Sequence, residues 1–226
     1  HFLISKKVVS EIMAAANLAS TDTVLEVGPG KGILTEALLQ KAGRVIAVEK
    51  DPEMVAVLKS KFANNPKLKL IEGDILDPMT LGTLRTLSTL QTFDSKEYKI
   101  VANIPYYITG RFLRTMLESV NPPRKMVLML QKEVADRIMA KDGKESLLSI
   151  SVKAYVTPKY IKKVPAKYFH PKPKVDSAII SLSVQSRALN RLGEIDMRLV
   201  KRGFAHKSKL LAGNLGVSPE ILKKCG

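Results

Sequence analysis

Five short β-branched, apolar runs recur through the first 130 residues, and a stretch of helical spacing follows nearly every one. This alternation constrains the fold more than any other feature of the chain. The runs cover 23–27, 44–49, 68–72, 98–102 and 126–130. Helical spacing covers 34–41, 52–63, 80–90 and 109–118, after an opening amphipathic segment at 6–18 that carries Val8, Val9, Ile12, Met13 and Ala16 on one stripe. Strands separated by helices are joined by right-handed crossovers, so the expected architecture is an α/β fold with a mostly parallel sheet covered by helices on both faces. Further on, 149–156 and 175–184 read as strands without intervening helices, and are expected at the far edge of the same sheet, part of it antiparallel. Residues 185–190 are polar and irregular, and 195–215 read as short basic helices. Two units are therefore expected, one over 1–184 and a small basic helical C-terminal domain over 185–226.

The first strand runs into Glu26-Val-Gly28-Pro-Gly30-Lys-Gly32 and then a helix, which is where an open α/β sheet binds ligands. Glycines at such a turn let the backbone approach a ligand without a Cβ in the way. A dinucleotide fingerprint requires a third glycine at position 33, where Ile33 stands. The spacing speaks against NAD and resembles motif I of S-adenosylmethionine-dependent methyltransferases. Glu49 ends the second strand 21 residues after Gly28, placed to accept both hydroxyls of a ribose. Asp74 ends the third strand, where its carboxylate can take the exocyclic amine of the cofactor's adenine while Ile75 packs on the ring. Taken alone, the glycines also suit a tight strand-to-helix turn beside two solvated acids. Three successive strand ends bearing a glycine loop, a Glu and an Asp favour the cofactor.

The fourth strand ends in Asn103-Ile104-Pro105-Tyr106, adjoining the expected methyl donor. The N6 amine of adenine is a poor nucleophile because its lone pair is delocalised into the ring. The Asn103 amide oxygen and a main-chain carbonyl, that of Ile104, can accept its two N–H donors and favour a pyramidal nitrogen. Pro105 fixes φ and stiffens the turn. Tyr106 offers a face for the target base, worth roughly 1–3 kcal/mol per stacked base.

With these motifs in place, the chain resembles the rRNA adenine N6,N6-dimethyltransferases, which modify two adjacent adenines near the 3′ end of small-subunit rRNA. The resemblance runs from His1 to about Leu215. His1-Phe2-Leu3 is similar to the end of the family's N-terminal motif, which closes over the methionine part of the cofactor. Residues 129–135 (Met-Leu-Gln-Lys-Glu-Val-Ala) and 169–178 (Phe-His-Pro-Lys-Pro-Lys-Val-Asp-Ser-Ala) are also similar to family signatures. The resemblance implies a Rossmann-like class I methyltransferase sheet with S-adenosylmethionine as cofactor. It implies cofactor contacts from His1, Leu3, Gly28, Gly30, Gly32, Glu49, Asp74, Ile75 and Asn103. It also implies that Phe169 and Tyr106 sandwich an everted base, although Phe169 read without the family is a core residue. The family's C-terminal basic run is here interrupted by Ser208.

Lysine and arginine number 37 against 21 acids, a net charge of +16, and 15 of the basic residues fall within 157–226 beside only four acids. A surplus so placed points to a polyanion. Lys163, Lys167, Lys172, Lys174, Arg202, Lys207 and Lys209 are expected to contact RNA phosphates. His170 and His206 have no carboxylate partner in sequence and are left as surface or RNA-contacting residues. Cys225 is the lone cysteine, so no disulfide within the chain is possible, and a reducing compartment, the cytoplasm, is expected. No metal-ligand spacing and no apolar run of about 18 residues occurs. A monomer is expected, and because the chain starts at His1 rather than Met, a processed or trimmed N terminus. The expected partner is the rRNA of an immature small subunit. Two alternatives remain: the sister family that methylates large-subunit rRNA and confers macrolide resistance, and a ribosome-assembly or RNA-binding factor that has lost catalysis. DNA adenine methylation is disfavoured because those enzymes usually carry Pro where Ile104 stands.

Overall fold

The structure, a computed structural model, describes residues 1–89, 98–119, 121–141, 144–184 and 218. A seven-stranded sheet organises them. Its strands are β2 (Thr23–Val27), β3 (Arg44–Glu49), β4 (Leu68–Glu72), β5 (Lys99–Asn103), β6 (Lys125–Gln131), β7 (Val156–Val164) and β9 (Ser177–Val184), in the order β4-β3-β2-β5-β6-β9-β7. All neighbours pair in parallel except β9, which is antiparallel to both β6 and β7. A separate two-stranded ribbon pairs β1 (Phe2–Leu3) with β8 (Phe169–His170). The helices are α1 (Lys6–Ala16), α2 (Ile33–Lys41), α3 (Pro52–Lys61), α4 (Pro78–Thr89), α5 (Thr109–Leu117), α6 (Lys132–Met139) and α7 (Leu147–Lys153).

Strand alternation sorts side chains into two cores. Met126, Leu128 and Leu130 of β6 enter one together with Phe112, Leu113 and Ile138 from α5 and α6. Val127 and Met129 enter the other, against Val8, Val9 and Ile12 of α1 and Leu34 and Leu38 of α2. Because both faces are covered, the central strands are buried almost throughout, as a parallel sheet requires. Local signals agree with the helix starts. Ser5 caps α1 by accepting from the Val8 amide at 3.4 Å, and Asp51 caps α3 ahead of Pro52.

One expectation is corrected. Residues 149–156 are not a strand: most of the stretch belongs to α7. Ile150 and Val152 alternate with serines, which imitates a strand. Yet Ser146 and Ser149 form a reciprocal capping box, and the helix places Leu148 and Val152 four apart on the core. The strand starts only at Val156, and it contains Pro158 with Lys159, Lys162 and Lys163, a composition that reads as loop. That composition suits an edge, where proline costs no shared hydrogen bond and lysines discourage further pairing.

Part of the positive charge serves the fold. Lys99 donates to the Asn17 carbonyl at 3.0 Å and Lys125 to the Ala15 carbonyl at 2.6 Å, both at the end of α1. Lys67 reaches the carbonyls of Leu39 and Ala42 at the end of α2, and Lys153 that of Ala140 after α6. Each cation meets carbonyls left open at a helix C terminus. The expected domain over 185–226, with Arg202, His206, Lys207 and Lys209, lies outside the described residues, as does Cys225.

Candidate active site at the carboxyl edge of the sheet

Strand β2 sits at the topological switch point: its neighbour β3 continues the chain on one side, and β5 lies on the other after a long crossover. Loops leaving β2 and β5 therefore diverge and open a crevice. A cavity of about 470 Å³ fills it, lined among others by Glu26, Gly28, Gly30, Glu49, Asn103 and Tyr106. A second, of about 400 Å³, continues past Lys50, Gly73, Asp74 and Ile75 and shares Gly28, Glu49, Asp51, Pro105 and Tyr107 with the first. The two are halves of one trough running along the ends of β4, β3, β2 and β5.

The glycine turn is shaped by backbone demands. Gly28 and Gly30 have φ of 65° and 53°, which other residues rarely adopt. A Cβ on Gly30 would stand 2.7 Å from the Phe2 ring, so the N-terminal strand closes directly on the turn, with Lys31 Nζ 5.2 Å from the centre of that ring. Gly32 lies elsewhere: it begins α2 at φ 76° and faces Phe62 and Leu58, so it shapes the turn without lining either cavity.

Glu49 is buried and held by three amides, with Gly30 N donating to Oε2 at 3.0 Å and Lys50 N and Asp51 N to Oε1 at 2.8 and 3.0 Å. Asp74 accepts from Leu76 N at 2.9 Å and from Lys50 Nζ at 3.1 Å. The amide and the lysine hold its carboxyl below the usual range, and the same contact raises Lys50.

Glu26 differs from both. It occupies a β2 position between the core residues Leu25 and Val27 and shares the face of Val24, where an apolar side chain would be at home. Neither its Oε2 nor the buried Thr35 hydroxyl makes a hydrogen bond of normal geometry. Burial outweighs the opposing pull of the nearby Thr35 hydroxyl and, with the Glu49 charge adding to it, pushes the Glu26 carboxyl up to about 8.

At the other wall, β5 delivers Asn103 and Ile104 to the cavity, and the Ile104 amide donates to the Met129 carbonyl at 3.0 Å. The Asn103 side chain makes no hydrogen bond among the described residues and remains available to a ligand. Tyr106 opens a short 3-10 turn (Tyr106–Ile108), and its hydroxyl lies 2.7 Å from Ser177 Oγ. Phe169 reaches the same cavity from the β8 side, although it is only 3% exposed. His1 and Leu3 line it too. Leu3 pairs with Phe169 in the ribbon, and His1 Nδ1 lies 2.6 Å from the Pro171 carbonyl oxygen.

The trough thus gathers Asn103, Ile104, Pro105, Tyr106, Phe169, His1, Leu3, Gly28, Gly30, Glu49, Asp74 and Ile75 from segments up to 168 positions apart. A profile described as "Ribosomal RNA adenine dimethylase" matches residues 1–221. The chain belongs to that family. It is 43% identical over 228 residues to a ribosomal RNA small subunit methyltransferase A from Dehalococcoides mccartyi, an alignment covering 98% of this chain and 76% of that protein. Among solved structures it resembles a dimethyladenosine transferase from Plasmodium falciparum, with a TM-score of 0.81, 28% identity and coverage of 99% and 78% of the two chains. It also resembles the 23S rRNA methyltransferase ErmE, with a TM-score of 0.73, 26% identity and coverage of 95% and 83%. The Rossmann-like methyltransferase sheet expected from the sequence is the fold of both relatives.

Phe2, Lys50, Asp51 and Tyr107 also line the trough, with no site role expected from the sequence. The last is 80% exposed and borders both halves of the trough. Glu26 enters the sequence pattern only through its spacing from the glycines, although an acid inside an apolar strand is itself a signal. The expected RNA contacts Lys163, Lys167, Lys172 and Lys174 are all exposed around the Phe169 segment, as is His170. Lys163 is paired with Asp176 Oδ2 at 2.9 Å, and Lys167 lies 5.6 Å from the centre of the Tyr168 ring. Among the described residues no helix is long and apolar enough to cross a membrane, and no acid, His or Cys cluster suits a metal.

Proposed function

We propose that this protein transfers methyl groups from S-adenosylmethionine to the N6 atoms of two adjacent adenines near the 3′ end of small-subunit rRNA. The observation that carries the reading is the open amide of Asn103, at the lip of a trough whose far half ends in Asp74. The donor set suits the cofactor: Asp74 and Ile75 for the adenine, Glu49 for the ribose, and Glu26, His1 and Leu3 around the amino-acid end. Gly28 and Gly30 let the backbone approach. When bound, S-adenosylmethionine supplies an electrophilic methyl group on a sulfonium.

The protein's own part is positioning. The Asn103 amide oxygen and the Ile104 carbonyl accept the two N6 hydrogens and orient the nitrogen lone pair. Tyr106 and Phe169 hold the base from its two sides. The methylated amine is acidic enough to lose its proton to water, so no strong base is required. Effective molarities of about 10⁵–10⁸ M for well-oriented groups bound what such positioning contributes. Lys167, Lys172 and Lys174, with Arg202, Lys207 and Lys209 of the proposed C-terminal domain, grip phosphates without reading sequence. The protein acts as a cytoplasmic monomer on immature small subunits. The 43% identity with a small-subunit enzyme favours that target over the large subunit.

The test supplies labelled methyl donor to immature small subunits, large subunits and DNA. Incorporation confined to the small subunit, mapped to adjacent adenines by primer extension, is expected. Label in the large subunit, or in none of the three, refutes the reading.

A further inference from the structure

The Tyr106 hydroxyl is tied to a residue 71 positions further along the chain. Ser177 begins the antiparallel strand β9, is wholly buried, and is held on both sides by pairing with Gln131 of β6 and Val164 of β7. Few points at this edge of the sheet are as firmly fixed. Its hydroxyl lies 2.7 Å from that of Tyr106, which reaches across from the loop after β5. Ile179, two residues on and on the same face, is apolar and part of the core. An alanine at 177 would satisfy the core equally well, so packing does not call for the hydroxyl. Its polar partner is the tyrosine.

The geometry of the contact limits what it does. A tyrosine hydroxyl lies on the axis of rotation about Cβ–Cγ, so the bond fixes where the ring points, not its rotation about that axis. At the near end the Tyr106 carbonyl accepts from Thr109 Oγ1 at 3.2 Å, so both ends of the residue are held. Between them the ring lines the same cavity as Asn103 and Phe169. We infer that Ser177 is a positioning residue: its hydroxyl tethers the Tyr106 ring and so sets where a stacked base meets the Asn103 amide. The inference rests on the function proposed above. A ring freed from its tether still binds a base but holds its amine out of line for a larger fraction of the time. The loss therefore falls on turnover rather than on RNA binding, which phosphate contacts dominate.

The test is a double-mutant cycle of Tyr106→Phe and Ser177→Ala with small subunits as substrate. Each single variant is expected to lower kcat by about three- to tenfold, the range of one net hydrogen bond, with KM for the subunit unchanged. The double variant should fall no further than either single one. Titration with S-adenosylhomocysteine should give the same number of sites in all four proteins, which separates a displaced ring from a partly unfolded sample. Multiplying effects, unchanged kcat in either single variant, or a loss confined to KM each overturns the tether. If the unsubstituted protein methylates no RNA, the function it rests on fails, and the tether with it. If it methylates small subunits normally and the variants do too, only the tether fails.

Discussion

The two edges of the sheet treat charge in opposite ways. At the amino edge Lys99, Asp22 and Lys125 are answered within the protein. Lys99 binds Asp22 at 2.7 Å and the end of α1 at 3.0 Å, and Lys125 binds the same helix end. At the carboxyl edge polar groups are buried or gathered and left partly open: Glu26 Oε2 has no partner, and the Asn103 amide faces the cavity. The first arrangement stabilises the fold. The second stores binding capacity at some cost in stability.

Substitutions that separate stability from activity sharpen this contrast. The largest effect is expected from Asn103→Ala at the carboxyl edge. Methyl transfer should fall at least ~100-fold through loss of orientation, with cofactor affinity within a few fold and an unchanged melting temperature. Calorimetry beside a filter-binding methylation assay reads both; near-normal turnover would remove Asn103 from the mechanism.

At the amino edge, Lys99→Met should do the reverse, costing about 2 kcal/mol because a half-hidden carboxylate loses its cation, while specific activity of the folded fraction stays the same. Burial raises the Asp22 carboxyl, but the hydrogen bond and charge of Lys99, with the Ala19 amide, outweigh it and hold the carboxyl below its usual value. The pair's contribution is therefore present above about pH 4 and lost as pH falls through the depressed value. Urea melts of the two proteins should converge in acid; a constant gap down to pH 2 would contradict the pairing.

Glu26→Gln carries the opposite sign. A carboxyl raised from its ordinary 4.5 to about 8 binds more protons folded than unfolded. Folding thus loses stability as pH climbs from 4.5 to 8. The amide variant avoids that loss and should gain about 1–2 kcal/mol at pH 8, a rise of roughly 2–8 °C in Tm, with no gain below pH 4.5. Equal melting temperatures at pH 8 would mean that Glu26 is already satisfied. The smallest change belongs to Lys172→Ala, which should reduce the salt dependence of RNA binding by about 0.7–0.9 in logarithmic slope and leave kcat alone.

How much of this was legible depended on distance along the chain. Bounds for β2 and β3 follow from runs such as Val24-Leu25 and Val45-Ile46, because burial on both faces leaves a continuous apolar signal. The glycine turn, Glu49 and Asp74 were readable since each closes its own strand. By contrast, the α7 stretch reads as a strand and β7 has no assignment from the sequence, because serines and lysines there carry signals stronger than the apolar pattern. The Tyr106–Ser177 contact left no local trace, and no spacing rule joins positions 71 apart. Glu26 was visible as a letter, but its missing partner is a property of three dimensions.

A sheet whose strands all run one way can offer a ligand only the loops that depart from it. Reversing β9 lets one segment arrive at the rim instead. The connection from β7 into β9 therefore stays at the mouth of the trough, carrying Phe169 and then Ser177 with it. One strand laid against the grain thus brings a second aromatic side chain, Phe169, to the cavity that Tyr106 lines.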